Sequence, residues 1–278
     1  MKPIKFKSCF DNKHLGWKGS QQRCLLLTSM GKDILQDALS KIIGQQTLSD
    51  LKIIFTDDFD YYPKGLINPR EIELDKEMMP VGGSIEYSNK LNNWWLHEKN
   101  RKTPTWDLVC KAEIEGCPGL ILIEAKAHIS ELLRKRDKTG AKKDSPNYIK
   151  IENALSEVST AYNYSLSADN HYQLSNRIAW SIKLASMGIS VVLLYLGFID
   201  TKEMDDKKSD LIKDLRQWKK IVGDFSEEIG FKNWENRIHG DKMKREDDSI
   251  NPSFVYPIIR VANVQIDRGE LDLTLNID

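Results

Sequence analysis

Asp107, Glu124 and Lys126 are the residues of this chain whose types and spacing could do chemistry. Asp107 heads a stretch, 107–114, that alternates as a half-buried strand does. Glu124-Ala125-Lys126 closes the short apolar run Leu120-Ile121-Leu122-Ile123. Between the two, Glu115-Gly116-Cys117-Pro118-Gly119 is turn chemistry. A hairpin there brings the head of the first strand beside the tail of the second. The three side chains then gather at one end of a sheet. Glu124 and Lys126 are two apart on a strand and share a face. Two carboxylates and an ammonium so placed can hold a hard divalent cation and orient a water.

The tripeptide alone carries little information. Asp11-Asn-Lys13, Asp50-Leu-Lys52, Asp200-Thr-Lys202 and Asp205-Asp206-Lys207-Lys208 repeat it. Context separates them. Asp50 precedes its apolar run, and Asp200 follows a run with no aspartate-headed hairpin partner. The bland alternative for Glu124 and Lys126 is a solvated surface pair, worth about 0–1 kcal/mol. Against it, Leu120–Ile123 is apolar on both faces and reads as a central strand.

The elements that must position these groups follow from periodicity. Tyr172–Met187 has Leu174, Ile178, Ile182 and Ala185 at helical spacing, and Gly188 ends it. Residues 189–199 are a β-branched strand, too short for a membrane span. Gln173 and Arg177 are four apart and share a helix face with Asn176. Upstream, 31–44 is an amphipathic helix, Asp50–Phe55 a short strand, and 56–80 acidic and turn-rich. Ser84–Asn100 is a helix with Trp94 and Trp95 facing inward. Residues 129–171 form an insertion with a helix over Tyr148–Tyr164. Further on come a charged linker at 202–210, a helix over Asp210–Ile221, a charged loop at 240–248, and strands over Phe254–Val264 and Leu271–Leu275.

Strand, strand, helix, strand around Asp107 and Glu124-Ala125-Lys126 resembles the core of the PD-(D/E)XK nuclease superfamily. The family's proline is displaced: Trp106 precedes Asp107, and Pro104 lies further back. The resemblance covers roughly residues 84–200. It implies an α/β fold with a restriction-endonuclease-like core, a central mixed β-sheet flanked by helices, and N- and C-terminal additions at 1–83 and 201–278. It implies a divalent-metal-dependent endodeoxyribonuclease using Mg²⁺, with Mn²⁺ as a substitute, in restriction, phage defence or repair. Asp107 and Glu124 would be the metal ligands with the Ala125 carbonyl, and Lys126 would orient the water. Some branches carry Gln and Tyr four apart on the helix; here Gln173 keeps that role, and Arg177 stands where the tyrosine would be. The family's first helix often adds an acidic ligand, for which Glu86 is the candidate and Glu98 the other choice. The partner would be DNA, with RNA not excluded, and relatives act as homodimers or as subunits of defence systems. Two other classes compete: a nucleic-acid-binding module with an inactive site, and a non-nuclease enzyme using His or Cys.

Composition bounds these readings. The chain has 278 residues, 40% apolar and 29% charged, as a globular protein does. Its formal net charge of +0 leaves attraction for nucleic acid to local patches. The densest is Arg134-Lys135-Arg136 with Lys138, Lys142 and Lys143, suited to gripping a phosphate backbone or to lying solvated. Cys9, Cys24, Cys110 and Cys117 show no Cys-x-x-Cys spacing for zinc, and buried thiols are the expectation. The five histidines form no His-x-x-x-His pair. Absence of a signal peptide and of a transmembrane run points to the cytoplasm and to no membrane partner.

Overall fold

The computed structural model describes residues 5–7, 19–74, 78–80, 84–97, 102–133, 137–201, 204, 211–243, 252–267 and 270–272. Before the candidate hairpin come β1 (Lys5–Lys7), α1 (Ser20–Ser29), α2 (Lys32–Ile43), α3 (Gln45–Asp50), β2 (Tyr61–Tyr62), β3 (Ile72–Glu73), α4 (Ser84–Trp95) and β4 (Thr105–Trp106). The hairpin is β5 (Leu108–Ile114) and β6 (Cys117–Lys126). Then follow α5 (Ile129–Leu132), α6 (Pro146–Tyr162), α7 (Tyr172–Ser186), β7 (Ser190–Ile199) and α8 (Leu215–Glu227). The chain closes with β8 (Ile238–His239), β9 (Phe254–Asn263), β10 (Gln265–Asp267) and β11 (Glu270–Asp272).

A mixed six-stranded sheet runs in the order β2-β5-β6-β7-β9-β8. β5 and β6 are antiparallel; β6, β7 and β9 run parallel. Parallel neighbours need a crossover, and α7 supplies the one between β6 and β7. Strands contributed from before residue 84 and from after residue 200 sit in this same sheet, β2 on one side and β9 on the other. Helices cover both faces. Leu120, Leu122, Val191 and Leu193 pack under α4, α6, α7 and α8. Ile121, Ile123, Val192 and Leu194 pack against α1 and α2. This is why β6 and β7 are apolar at nearly every position: both their faces are buried.

The hairpin turn is Glu115-Gly116, with Ile114 opposite Cys117. Both turn residues have positive φ, 54° and 78°, as a type I′ connection requires. From that turn the register counts back to Leu108 opposite Ile123. Trp94 and Trp95 are buried as expected and pack on Trp180 of α7, with centroids 6.1 and 5.7 Å away. No described helix is long and apolar enough to cross a membrane.

Several expectations are corrected. Residues 50–55 form no strand; Lys52 takes φ 46°, and only Ile54 bridges to Glu113. The helix expected from Asp210 begins at Leu215, because Asp214 is the residue whose side chain caps it, accepting Gln217 N–H at 2.7 Å. Cys117 is exposed, since it opens β6 beside the turn. Glu98, Cys9, Arg134, Lys135, Arg136 and 273–275 lie outside the described residues.

Candidate active site

Asp107 falls at the break between β4 and β5, one position beyond the last hairpin pair. The ladder stops there and a side chain takes over: Asp107 Oδ2 accepts the Ala125 N–H at 2.8 Å. A strand residue turns its N–H and C=O to the same edge. The Ala125 carbonyl therefore lies on the Asp107 side of β6. Glu124 and Lys126 share the sheet face that α7 covers, and they are 1% and 5% exposed. A solvated surface pair is excluded by that burial.

Glu124 is held from both sides. Lys126 Nζ is hydrogen-bonded to Oε1, and Arg177 Nε donates to Oε2 at 2.6 Å. Arg177 is committed elsewhere too. Its Nη1 donates to Asn176 Oδ1 at 2.8 Å and its Nη2 to the Thr105 carbonyl at 2.6 Å. Its guanidinium carbon sits 4.4 Å from the Trp106 ring centroid. Burying these charges is costly unless each is paired and hydrogen-bonded, which is the arrangement here.

The charges divide the two carboxyls. Burial raises the Glu124 carboxyl, but Arg177 and then Lys126 outweigh it and hold it below its ordinary value. The Asp107 carboxyl goes the other way, up to about 7, through burial and then the Glu124 charge; Lys126 and the Ala125 N–H oppose the rise. Burial lowers the Lys126 ammonium, yet Glu124 and Asp107 keep it above the usual lysine range. Lys126 is thus a permanent donor in this state.

Other expected residues are placed less uniformly. Gln173, Asn176 and Arg177 line a cleft of about 290 Å³ with Thr105, Glu131 and Asp137. Gln173 reaches it at the start of α7, where its N–H donates to Asp137 Oδ2 at 2.9 Å. Glu86 is not brought in: it is exposed on α4 and pairs with Lys90 one turn along, as i,i+4 partners do. Lys142 and Lys143 are exposed, and Lys143 stands 4.0 Å from Asp169.

Four groups near the site escaped the sequence reading. Glu71 accepts Thr105 Oγ1–H at 2.9 Å and its charge acts on Asp107. Asp137 lies beside Gln173, with burial the main cause of its raised carboxyl. Glu131 accepts the Ala127 N–H at 2.9 Å. Tyr195 is opposite Glu124 in the β6–β7 register, and its buried hydroxyl has no partner among the described residues. None sits in a local motif. Glu131 comes by a contact four residues back in the chain, and the other three only through the pairing of distant segments.

Does the donor set suit a hard cation? Two carboxylates stand at the same end of the hairpin, the charge of Glu124 raising the Asp107 carboxyl, and the Ala125 carbonyl lies on the Asp107 side of β6. That is an oxygen set of the kind Mg²⁺ takes. Among the described residues no three His, Cys, Asp or Glu side chains form a metal-ready group. A cation here would rest on two carboxylates and main chain, with water and substrate completing its shell. Comparison of the chain with protein-family models, with curated proteins and with solved structures gave no match.

Proposed function

We propose that the chain is a divalent-metal-dependent nuclease hydrolysing DNA phosphodiester bonds, built on a restriction-endonuclease-like core. One observation carries the reading. Asp107, just before β5, and Glu124, near the end of β6, stand at the open end of the hairpin, and Lys126 follows Glu124 on the same buried face. Asp107, Glu124 and the Ala125 carbonyl would hold Mg²⁺, which polarises a phosphoryl oxygen and acidifies a water when bound. Lys126, kept protonated by its carboxylate neighbours, donates to the attacking water and to the charge that develops on phosphorus-bound oxygen. Arg177 reaches the cleft with a planar fork suited to a phosphate. All three of its nitrogens are engaged, so it must first release Glu124 Oε2 and the Thr105 carbonyl to present that fork. Gln173 lines the same cleft and offers an amide to substrate.

A second reading has its own support. Both Glu124 oxygens are already taken by cations, as in a structural ion cluster under a nucleic-acid-binding surface that does not cut. Cleavage separates the two. Purified protein is incubated with supercoiled plasmid, linear duplex and single strands in Mg²⁺, Mn²⁺ or EDTA. Cleavage in metal alone, reduced about 10²–10³-fold by Lys126→Ala, is the result expected of the nuclease. Binding without cleavage in any metal gives the case to the inactive module. Lys126→Arg should restore little, because a planar fork cannot act as a compact point donor.

A further inference from the structure

We infer that a second cavity beside the candidate active site is a subsite for one unpaired nucleobase of the strand being cut. The inference rests on the nuclease reading and specifies its substrate as single-stranded DNA. The cavity measures about 500 Å³. That lies within the roughly 300–1,000 Å³ of small-molecule sites and is far too small for a duplex. Lys102 and Tyr172 line both this cavity and the smaller cleft that holds Gln173, Asn176 and Arg177. A strand can therefore pass from one to the other along a continuous surface.

The lining has the chemistry of a nucleotide. Leu96, Ala141, Ile151 and the Tyr172 ring supply the apolar and aromatic surface that a base prefers to water. Lys102 and Lys142 are exposed at the same cavity and have no ion-pair partner among the described residues. They are free to meet the phosphates flanking a seated base. A duplex has no unpaired base to offer, so only a strand that is single, frayed or flapped can fill the site.

Tyr172 couples the cavity to the carboxylates. Its N–H donates to the Asp137 carbonyl at 3.2 Å, and its hydroxyl lies beside the Thr139 and Asn176 side chains. Asn176 accepts a hydrogen bond from Arg177, and Arg177 holds Glu124. A base seated on Tyr172 thus rests against the network that sets the position of Arg177.

The test uses the full chain and a fluorescein-labelled oligodeoxythymidylate, with binding followed by anisotropy in Ca²⁺. A single abasic residue is walked along the strand. One position should weaken binding about tenfold, the usual worth of a base stacked on an aromatic ring, while its neighbours cost little. Tyr172→Leu should weaken the intact strand by a similar factor and erase the abasic penalty, as coupled changes do. Gly140→Trp, at a lining position where a Cβ meets no atom within 4 Å, should do the same by narrowing the cavity. A flat abasic profile, a penalty unchanged in both variants, or duplex bound as tightly as single strand overturns the subsite. Cleavage is scored separately in Mg²⁺. A positional penalty without cleavage keeps the subsite and sinks the nuclease. Cleavage with a flat profile does the reverse.

Discussion

Asp107 and Glu124 are neighbours of the same chemical type in opposite electrostatic circumstances. Glu124 has two cations against it; Asp107 has a main-chain N–H and a carboxylate. The consequence for stability has a definite sign. A carboxyl near 3.9 in the unfolded chain and about 7 in the fold favours folding as the neutral acid. Its stabilising contribution is whole below about pH 4 and is lost as pH rises to about 7, by roughly 2–4 kcal/mol in total. Asp107→Asn keeps an acceptor for the Ala125 N–H and removes the charge. In EDTA the variant should melt several degrees above wild type at pH 8, and the gap should close towards pH 4. Thermal melts across pH read this directly; a variant less stable than wild type at pH 8 would contradict the assignment of charges. The same variant loses a proposed metal ligand, so Mg²⁺ should raise the melting temperature of wild type and not of Asp107→Asn. Glu124→Ala is a poorer probe, because it strands Lys126 and Arg177 as buried cations at a cost of about 3–5 kcal/mol.

At the scale of elements, the site depends on register more than on any single contact. Glu115 and Gly116 fix the pairing that puts Asp107 beside Glu124 and Ala125. A one-residue slip would turn Glu124 and Lys126 to the opposite face. Gly116 has φ 78°, and a Cβ there meets nothing within 4 Å. Gly116→Val therefore adds no clash and isolates the backbone cost, about 1–2 kcal/mol for a side chain forced into the left-handed region. Urea denaturation should show that loss for Gly116→Val and a smaller one for Gly116→Asn; equal stability of all three would deny the type I′ turn. This hairpin was legible because its signals are local: alternation, a turn with glycine, a doubly apolar strand. The helices α2, α6 and α7 were legible for the same reason. What was not legible is non-local. α1 was missed because it buries Gln22 and Arg23 among its leucines, with Arg23 Nε donating to the distant Val264 carbonyl at 3.0 Å. The strands β2 and β3 have two residues each, too few for a period to register. Glu71 and Asp137 reach the site only through tertiary pairing, whereas Glu86, which a helix pattern favoured, faces solvent.

For the molecule as a whole, 41 basic and 41 acidic residues leave no general attraction to a polyanion. Affinity for DNA must then come from where the cations stand, and neutral balance elsewhere limits off-site binding. Lys138, Lys142 and Lys143 are exposed on the segment that enters α6, and Lys142 borders the larger cavity. Contacts of exposed lysines with phosphate act by counterion release, at a log–log salt slope of about 0.7 per contact on single strands. Changing these three lysines together to glutamine should flatten the slope by up to about 2 and weaken binding uniformly across sequences. Cleavage per bound strand should be retained, because none of the three touches Asp107, Glu124 or Lys126. The measurement is anisotropy over a salt series beside single-turnover cleavage in Mg²⁺. An unchanged slope would reduce the segment to a solvated loop and leave Lys102, Lys126 and Arg177 as the cations that meet the strand.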